Sequence, residues 1–175
     1  MYIPPNMERL KTLINNLENA QKEVTIAIAG KYTALEDAYA SILEALNHCS
    51  IHLSTKINIK WIETSNTTNL DFKDINGLIV PGGFGCRGSE GKIRAIEYCR
   101  KNKIPFLGIC YGLQLAVVEF ARNVCGLNAN TTEVDPFCKD PVIDMMEEQK
   151  QITEKGGTMR LGSYPSILKP GSIVQ

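Results

Sequence analysis

The sequence predicts an α/β fold: an open, mostly parallel sheet with helices on both faces. Three observations carry that expectation. Short apolar runs of strand length alternate along the chain with longer stretches whose apolar residues recur at helical spacing. Two strand-like runs end in glycine-rich or sharply turning segments, residues 81–85 and 108–112, and ligands bind at such carboxyl ends in parallel sheets. A chain of 175 residues with 43% hydrophobic side chains also has the size and the apolar content for one cored domain.

The elements follow in chain order. Residues 6–21 read as a helix, because Met7, Leu10, Leu13, Ile14 and Leu17 recur at helical spacing with charges between them. Pro4-Pro5 forms a stiff boundary before it, so this helix is expected to be a linker or the tail of a preceding domain. The run from Val24 to Ala29 ends at Gly30 and reads as a buried strand. Residues 35–48 are helical, with Leu35, Ala38, Tyr39, Ile42, Leu43 and Leu46 on one face. Ile57 to Ile62 alternates and is a second strand, and the polar residues 63–74 are loop. Gly77 to Val80 is a third strand running into Pro81-Gly82-Gly83-Phe84-Gly85. A helix over 89–102, a strand over 104–109 and a helix over 112–124 complete the regular part. In the last third, Val142 to Met146 and Thr158 to Leu161 are candidate strands, and no closing element is visible before Gln175. There is no internal repeat or low-complexity segment.

Composition removes several functional classes. Nineteen basic residues balance nineteen acidic ones, which argues against a protein held to nucleic acid or an anionic membrane by bulk charge. Aromatic residues make up 7%, with no base-stacking signature. No apolar run reaches membrane-spanning length, and the N-terminus lacks the basic, apolar, small-residue order of a signal peptide. The expected location is the cytoplasm. The six cysteines, at 49, 86, 99, 110, 125 and 138, are irregularly spaced and form no C-x-x-C, so reduced thiols are expected and neither a disulfide framework nor a metal site. Asn66-Thr67-Thr68 and Asn130-Thr131-Thr132 match a glycosylation sequon and are read as chance.

The sharpest chemical signal is Gly108-Ile109-Cys110-Tyr111-Gly112, between a predicted strand and a predicted helix. Its spacing is that of a nucleophile elbow with cysteine in place of serine. Small residues let the backbone fold back, the central side chain is pushed out above the sheet, and the following helix N-terminus favours thiolate over thiol. A buried structural cysteine beside packing glycines is the bland alternative. The second signal is the 81–85 segment, where glycines can present backbone N–H groups to an oxyanion; alone it would be an ordinary turn. Together the two supply the parts of an acyl-transfer site. A general base is still required. The two histidines, His48 and His52, fall at the end of a predicted helix and just after it, and neither is in a base position. Gly30-Lys31-Tyr32-Thr33 is not a phosphate loop, because Thr25 stands where the Walker pattern needs glycine. Glu147-Glu148 reads as solvated surface.

The stretch Gly108 to Gln114 resembles the nucleophile segment of class I (triad) glutamine amidotransferases. Further stretches look like the CTP synthase family in particular: Gly30-Lys31-Tyr32 with Asp37-Ala38-Tyr39 and Ser41, Val80 to Gly85 with Arg87-Gly88, Glu90 to Ile93, Asn128 to Glu133, and Gly156 to Gly162. The resemblance covers about residues 24–162, in order. It implies a flavodoxin-like amidotransferase fold whose C-terminal part is missing, with residues 24–175 as a partial amidotransferase domain and 1–23 as linker helix or tail of an absent synthase domain. The implied reaction is the ATP-dependent amination of UTP to CTP in pyrimidine nucleotide biosynthesis. L-Glutamine is hydrolysed and ammonia passes to the synthase domain, which holds UTP, ATP and Mg²⁺. GTP is the implied activator, the family assembles as homotetramers, and no cofactor belongs to this chain. By the same resemblance Cys110 is the nucleophile that forms a glutamyl thioester. Gly83 contacts the reacting glutamine, Tyr111, Gly112, Leu113 and Gln114 form the glutamine-binding turn, and Glu133 grips the α-amino end. Tyr111 departs from the leucine usual in CTP synthases and matches GMP synthetases, which are therefore an alternative. The segments carrying the family's substrate arginine and its catalytic His and Glu are expected beyond residue 175. The chain alone is thus expected to be inactive, and a non-catalytic glutamine-binding or regulatory remnant is a further alternative.

Overall fold

The computed structural model describes residues 6–33, 35–149, 162–163 and 165–172. Two units are distinguished, Met1–Asp144 and Met145–Gln175. Among the described residues the second contributes one 3-10 turn, Glu147–Gln149, beside which the Met146 amide donates to Oε1 of Gln149. All other elements lie in the first.

The apolar runs form four strands: β1 (Lys22–Gly30), β2 (Thr55–Glu63), β3 (Gly77–Val80) and β4 (Phe106–Gly108). They pair in the order β2-β1-β3-β4, every pair parallel, so the α/β architecture expected from the sequence is the one observed. β1 is central, and its second half, Ala27 to Gly30, is fully buried, which is why it reads as a continuous apolar run rather than an alternation. The register sets Ile28 beside both Trp61 and Ile79, and Val80 beside Gly108. The chain moves from β1 outward to β2, returns through the 64–76 loop to β3, and continues away to β4. That reversal between β1 and β3 is the switch point where such sheets open a crevice at their carboxyl ends.

Four helices flank the strands: α1 (Glu8–Glu18), α2 (Ala40–Leu53), α3 (Ser89–Asn102) and α4 (Tyr111–Asn123). The pleat sorts side chains between two faces. Ala27, Ala29, Leu78 and Val80 join Ile93, Ile96, Cys99, Leu115 and Val118 in one core beneath α3 and α4. Ile79 points the other way, toward α2, where Ile42 and Leu46 face Ile79, Leu107 and Ile109 across an apolar trough of about 550 Å³. β4 is the edge strand, three residues long and paired only to β3 among the described residues. No helix among the described residues is long and apolar enough to cross a membrane.

Several boundaries differ from the expectation. A 3-10 turn at Glu36–Tyr39 precedes α2, which then runs on to Leu53, so His52 is inside the helix rather than after it. The strand expected over 142–146 forms earlier, as β6 (Asp140–Ile143), because it pairs in parallel with β5 (Ala129–Thr131). That second strand carries no apolar run that could have announced it. Thr158 to Leu161 and Pro4-Pro5 lie outside the described residues. The α1 stripe is helical as expected, yet the helix has no buried residue and Leu10, Ile14 and Leu17 are about half exposed.

α3 and α4 are tied by charge as well as by apolar packing. Glu119, 1% exposed, accepts bonds from Arg100 Nε at 3.0 Å, from Arg100 Nη2 at 2.7 Å and from Asn123 at 3.0 Å. Burial pushes its carboxyl up, but the Arg100 and Asn123 donors outweigh burial and leave it below the usual carboxylate range. Because the folded value is depressed, the pair's contribution is complete above the unfolded carboxylate range and is lost as pH falls through the lowered value. Glu119→Gln is expected to cost about 1–2 kcal/mol at pH 7, since it removes the charge from the buried carboxyl that Arg100 and Asn123 donate to, while the partly exposed Arg100 stays solvated. Urea titrations of both proteins at pH 7 and pH 3 check this: the gap narrows at pH 3, and equal midpoints at pH 7 contradict it.

Candidate active site

The turn from β4 into α4 is tight enough to dictate its own sequence. The Ile109 amide still donates to the Val80 carbonyl, at 3.0 Å, so the β3–β4 ladder reaches the bend. One residue later Cys110 adopts φ 53°, ψ −110°, and α4 begins at Tyr111. For a residue with a Cβ this conformation is strained. Both flanking glycines are required by contact. A Cβ on Gly108 would lie 2.7 Å from the Leu113 nitrogen, and one on Gly112 would strike the Val80 carbonyl oxygen and sit 2.8 Å from its carbon. The bend therefore packs backbone on backbone and leaves the Cys110 side chain exposed above the sheet. Cys110 is the N-cap of α4, so the residue stands at the positive end of that helix.

The loop after β3 passes directly beside the thiol. A side chain on Gly82 would meet Cβ of Cys110 at 3.4 Å and Sγ at 3.9 Å. Four groups from four elements pin this loop. Lys31, just past β1, donates to the Phe84 carbonyl at 2.6 Å. The Gly85 amide donates to Glu133, just past β5, at 2.9 Å. The Gly85 carbonyl lies 3.1 Å from the Ser89 hydroxyl and 3.2 Å from that of Tyr111, and these two hydroxyls are 2.7 Å apart. Among the described residues the amides of Gly82, Gly83 and Phe84 enter no hydrogen bond. A fixed loop with unspent N–H groups beside a nucleophile is the arrangement that stabilises an oxyanion. Arg122 of α4 secures the surroundings, donating to Ala129 of β5 at 2.6 Å and to Glu90 of α3 at 2.9 Å.

The sequence-predicted residues thus fall as follows. Cys110 and Glu133 both meet the loop that contains Gly83, Cys110 beside Gly82 and Glu133 at the Gly85 amide. Gly112 is buried under the bend, Gln114 is half-buried in the first turn of α4, and Leu113 is 58% exposed. The Tyr111 side chain is turned into the core, 2% exposed; burial pushes its phenol up, so it remains a neutral donor to the loop. His48 and His52 are exposed on the C-terminal half of α2. A helix leaving the carboxyl end of β1 descends toward the opposite end of the sheet, so neither histidine stands by the sulfur. No cluster of metal-ligating side chains occurs among the described residues.

Three contributors escaped the sequence reading. Lys31 belonged to a segment dismissed as a phosphate loop and acts as a clamp instead. Ser89 carried no signal. Lys92 did carry one: Lys92, Ala95, Ile96 and Cys99 are spaced i, i+3, i+4, i+7, which puts the lysine on the buried stripe of α3. It is 2% exposed, and its Nζ lies over the Tyr111 ring, 5.3 Å from the centroid. Burial lowers its pKa to about 8, with the like charge of Lys31 adding and Cys110 opposing.

With this geometry in view, the comparisons with known proteins agree with one another. A family model described as glutamine amidotransferase class-I matches residues 34–173. CTP synthase from Methanocaldococcus jannaschii is 51% identical over 180 residues, which take in 97% of this chain and 33% of that protein. CTP synthase from Sulfurisphaera tokodaii is 53% identical over 175 residues, with 97% and 33% covered. Among solved structures, the glutaminase domain of Trypanosoma brucei CTPS with bound acivicin is 34% identical with a TM-score of 0.64, over 71% of this chain and 50% of that one. The chain spans about a third of the length of the curated relatives it matches.

Proposed function

The chain belongs to the class I glutamine amidotransferase family, and from that premise we propose that it is the part of a CTP synthase that carries the nucleophile of the glutamine-hydrolysing step. The observation that carries this reading is the exposed Cys110 sulfur, held at a strained strand-to-helix bend against the unspent amides of Gly82 to Phe84. The sulfur adds to the side-chain carbonyl carbon of glutamine and the oxygen becomes negative, facing those amides. The C–N bond breaks, nitrogen leaves with a proton as ammonia, and a thioester remains on Cys110. Water then releases glutamate and restores the thiol. Glu133 receives the substrate's ammonium group, and the backbone of Tyr111 to Gln114 forms the floor under its chain.

The ammonia is consumed in a synthase domain that binds UTP, ATP and Mg²⁺, with GTP activating the glutamine step; no residue of this chain is assigned to hold them. This extension is supported by relatives about 50% identical that carry the CTP synthase name and are about three times as long. On the same reading the protein works in the cytoplasm, in pyrimidine nucleotide synthesis, and the assembled enzyme is a homotetramer.

Acivicin, bound by the trypanosomal neighbour, tests the site. It is expected to add once, to Cys110, and L-glutamine is expected to protect where L-glutamate does not; peptide mass mapping reads the position. Modification of Cys86 instead, or indifference to glutamine, would refute the assignment. Because neither histidine is placed to take the thiol proton, glutamate release by these 175 residues is expected to be at least about a thousandfold slower than by a complete triad. Rapid release would reveal another base.

A further inference from the structure

The ammonium of Lys92 is buried with no hydrogen bond and no carboxylate partner among the described residues, although burying a cation costs several kcal/mol unless negative charge faces it. Its surroundings offer little. Lys31 is another cation, and Tyr111 presents its ring face and a phenol kept neutral by burial. Of the acids near Tyr111, Glu133 is engaged by the Gly85 amide and Glu90 by Arg122. The direction in which Lys92 does look is the loop: a Cβ on Gly83 would lie 3.7 Å from its Nζ. The residue before Gly83 in the same loop, Gly82, lies against Cys110, whose negative form favours the charged lysine.

We propose that Lys92 is a positioning residue, whose buried ammonium fixes positive potential behind the Gly82–Gly83 peptides where the Cys110 sulfur and the attacked carbonyl oxygen become negative. The inference rests on the glutamine-hydrolysing reading of the site. A charge in this partly dry setting acts at greater strength than one in water, and it needs no reorganisation during the reaction. The arrangement also accounts for the lysine's burial. The group is uncompensated in the resting thiol state and becomes compensated as negative charge forms, so stabilisation is reserved for the states that need it.

Alkylation of Cys110 in the 175-residue chain by iodoacetate and by iodoacetamide tests this. Both reagents attack the same thiolate, so their rate ratio cancels its abundance and reports local potential, which a merely structural lysine would not set. Peptide mapping follows each cysteine separately. Lys92→Met is expected to lower the iodoacetate-to-iodoacetamide ratio at Cys110 about five-fold. Lys92→Arg should retain the ratio, and Cys49 on α2 should show no change in either variant. Protection of the buried Cys99 reports that the fold is intact. If Lys92→Met exposes Cys99, the Cys86→Ser chain, in which no second loop thiol gains charge, supplies the answer: raising pH from 7 to 9.5 discharges Lys92, and the ratio at Cys110 should fall. Repeating that titration in Lys31→Gln separates the neighbouring cation. An unchanged ratio in a folded Lys92→Met chain, or across the pH step, overturns the proposal. Failure of acivicin to label Cys110, with the ratio still dependent on Lys92, would instead overturn the glutamine assignment alone.

Discussion

Cys110→Gly is expected to yield a protein that is more stable and wholly unreactive toward acivicin. The backbone at this residue, φ 53° and ψ −110°, is the mirror image of an ordinary extended conformation and is open without penalty only to glycine. Holding a side chain there costs on the order of 1–3 kcal/mol. Glycine removes that strain and loses about 0.5–1 kcal/mol through the greater freedom of the unfolded chain, for a net gain of about 1 kcal/mol. The exposed thiol contributes little packing to set against this. Urea denaturation should show a raised midpoint at constant slope, while intact-mass analysis shows no acivicin adduct. A lowered midpoint would mean that the bend is not strained, and the structural argument for a nucleophile elbow would fail. The opposition of stability and reactivity at one residue is what a functional site predicts and a packing cysteine does not.

Gly112→Ala is expected to be among the most destabilising additions of a single methyl group at the described glycines. The added carbon would collide with the Val80 carbonyl, and neither partner is a flexible side chain. α4 would have to move away from β3, opening the core around Val80, Leu115 and Val118. Overpacking typically costs 1–3 kcal/mol where side chains can yield; with backbone on both sides the loss should be about 4 kcal/mol or more. The same displacement separates Cys110 from Gly82, so acivicin labelling should fall by at least about a hundredfold even in the folded fraction. Thermal unfolding together with labelling kinetics reads both effects. A variant with an unaltered melting temperature would show that β3 and α4 are not in contact at this point. Gly85, where an added Cβ meets nothing within 4 Å, is the natural contrast in space, though its φ of 79° still disfavours a side chain.

The parallel sheet was legible because burial on both faces leaves uninterrupted apolar runs, and the second half of β1 and the whole of β3 are of that kind. The elbow was legible for a related reason: Gly108 and Gly112 are imposed by backbone contact, so the motif is written in residues that geometry forbids changing. Elements held by partners rather than by pattern were not legible. β5 is Ala129-Asn130-Thr131 and exists because β6 pairs with it and Arg122 caps its carbonyl. The last turn of α2 continues past the end of its apolar stripe, to a left-handed Ser54. Buried charges were the other blind spot, since Lys92 and Glu119 look like surface residues until their helical phase is compared with that of their neighbours. The amphipathic stripe on α1 shows the converse: periodicity located the helix but did not determine how deeply its apolar face is covered.

The sulfur's mount hangs from the outermost ladder of the sheet, a three-residue strand gripped on one side by Leu78, Ile79 and Val80. Outer ladders open locally at lower free energy than inner ones. Breathing of that rim therefore sets how long thiol and amides stay aligned, which puts the tempo of the chemistry in three backbone pairings rather than in the reacting groups alone.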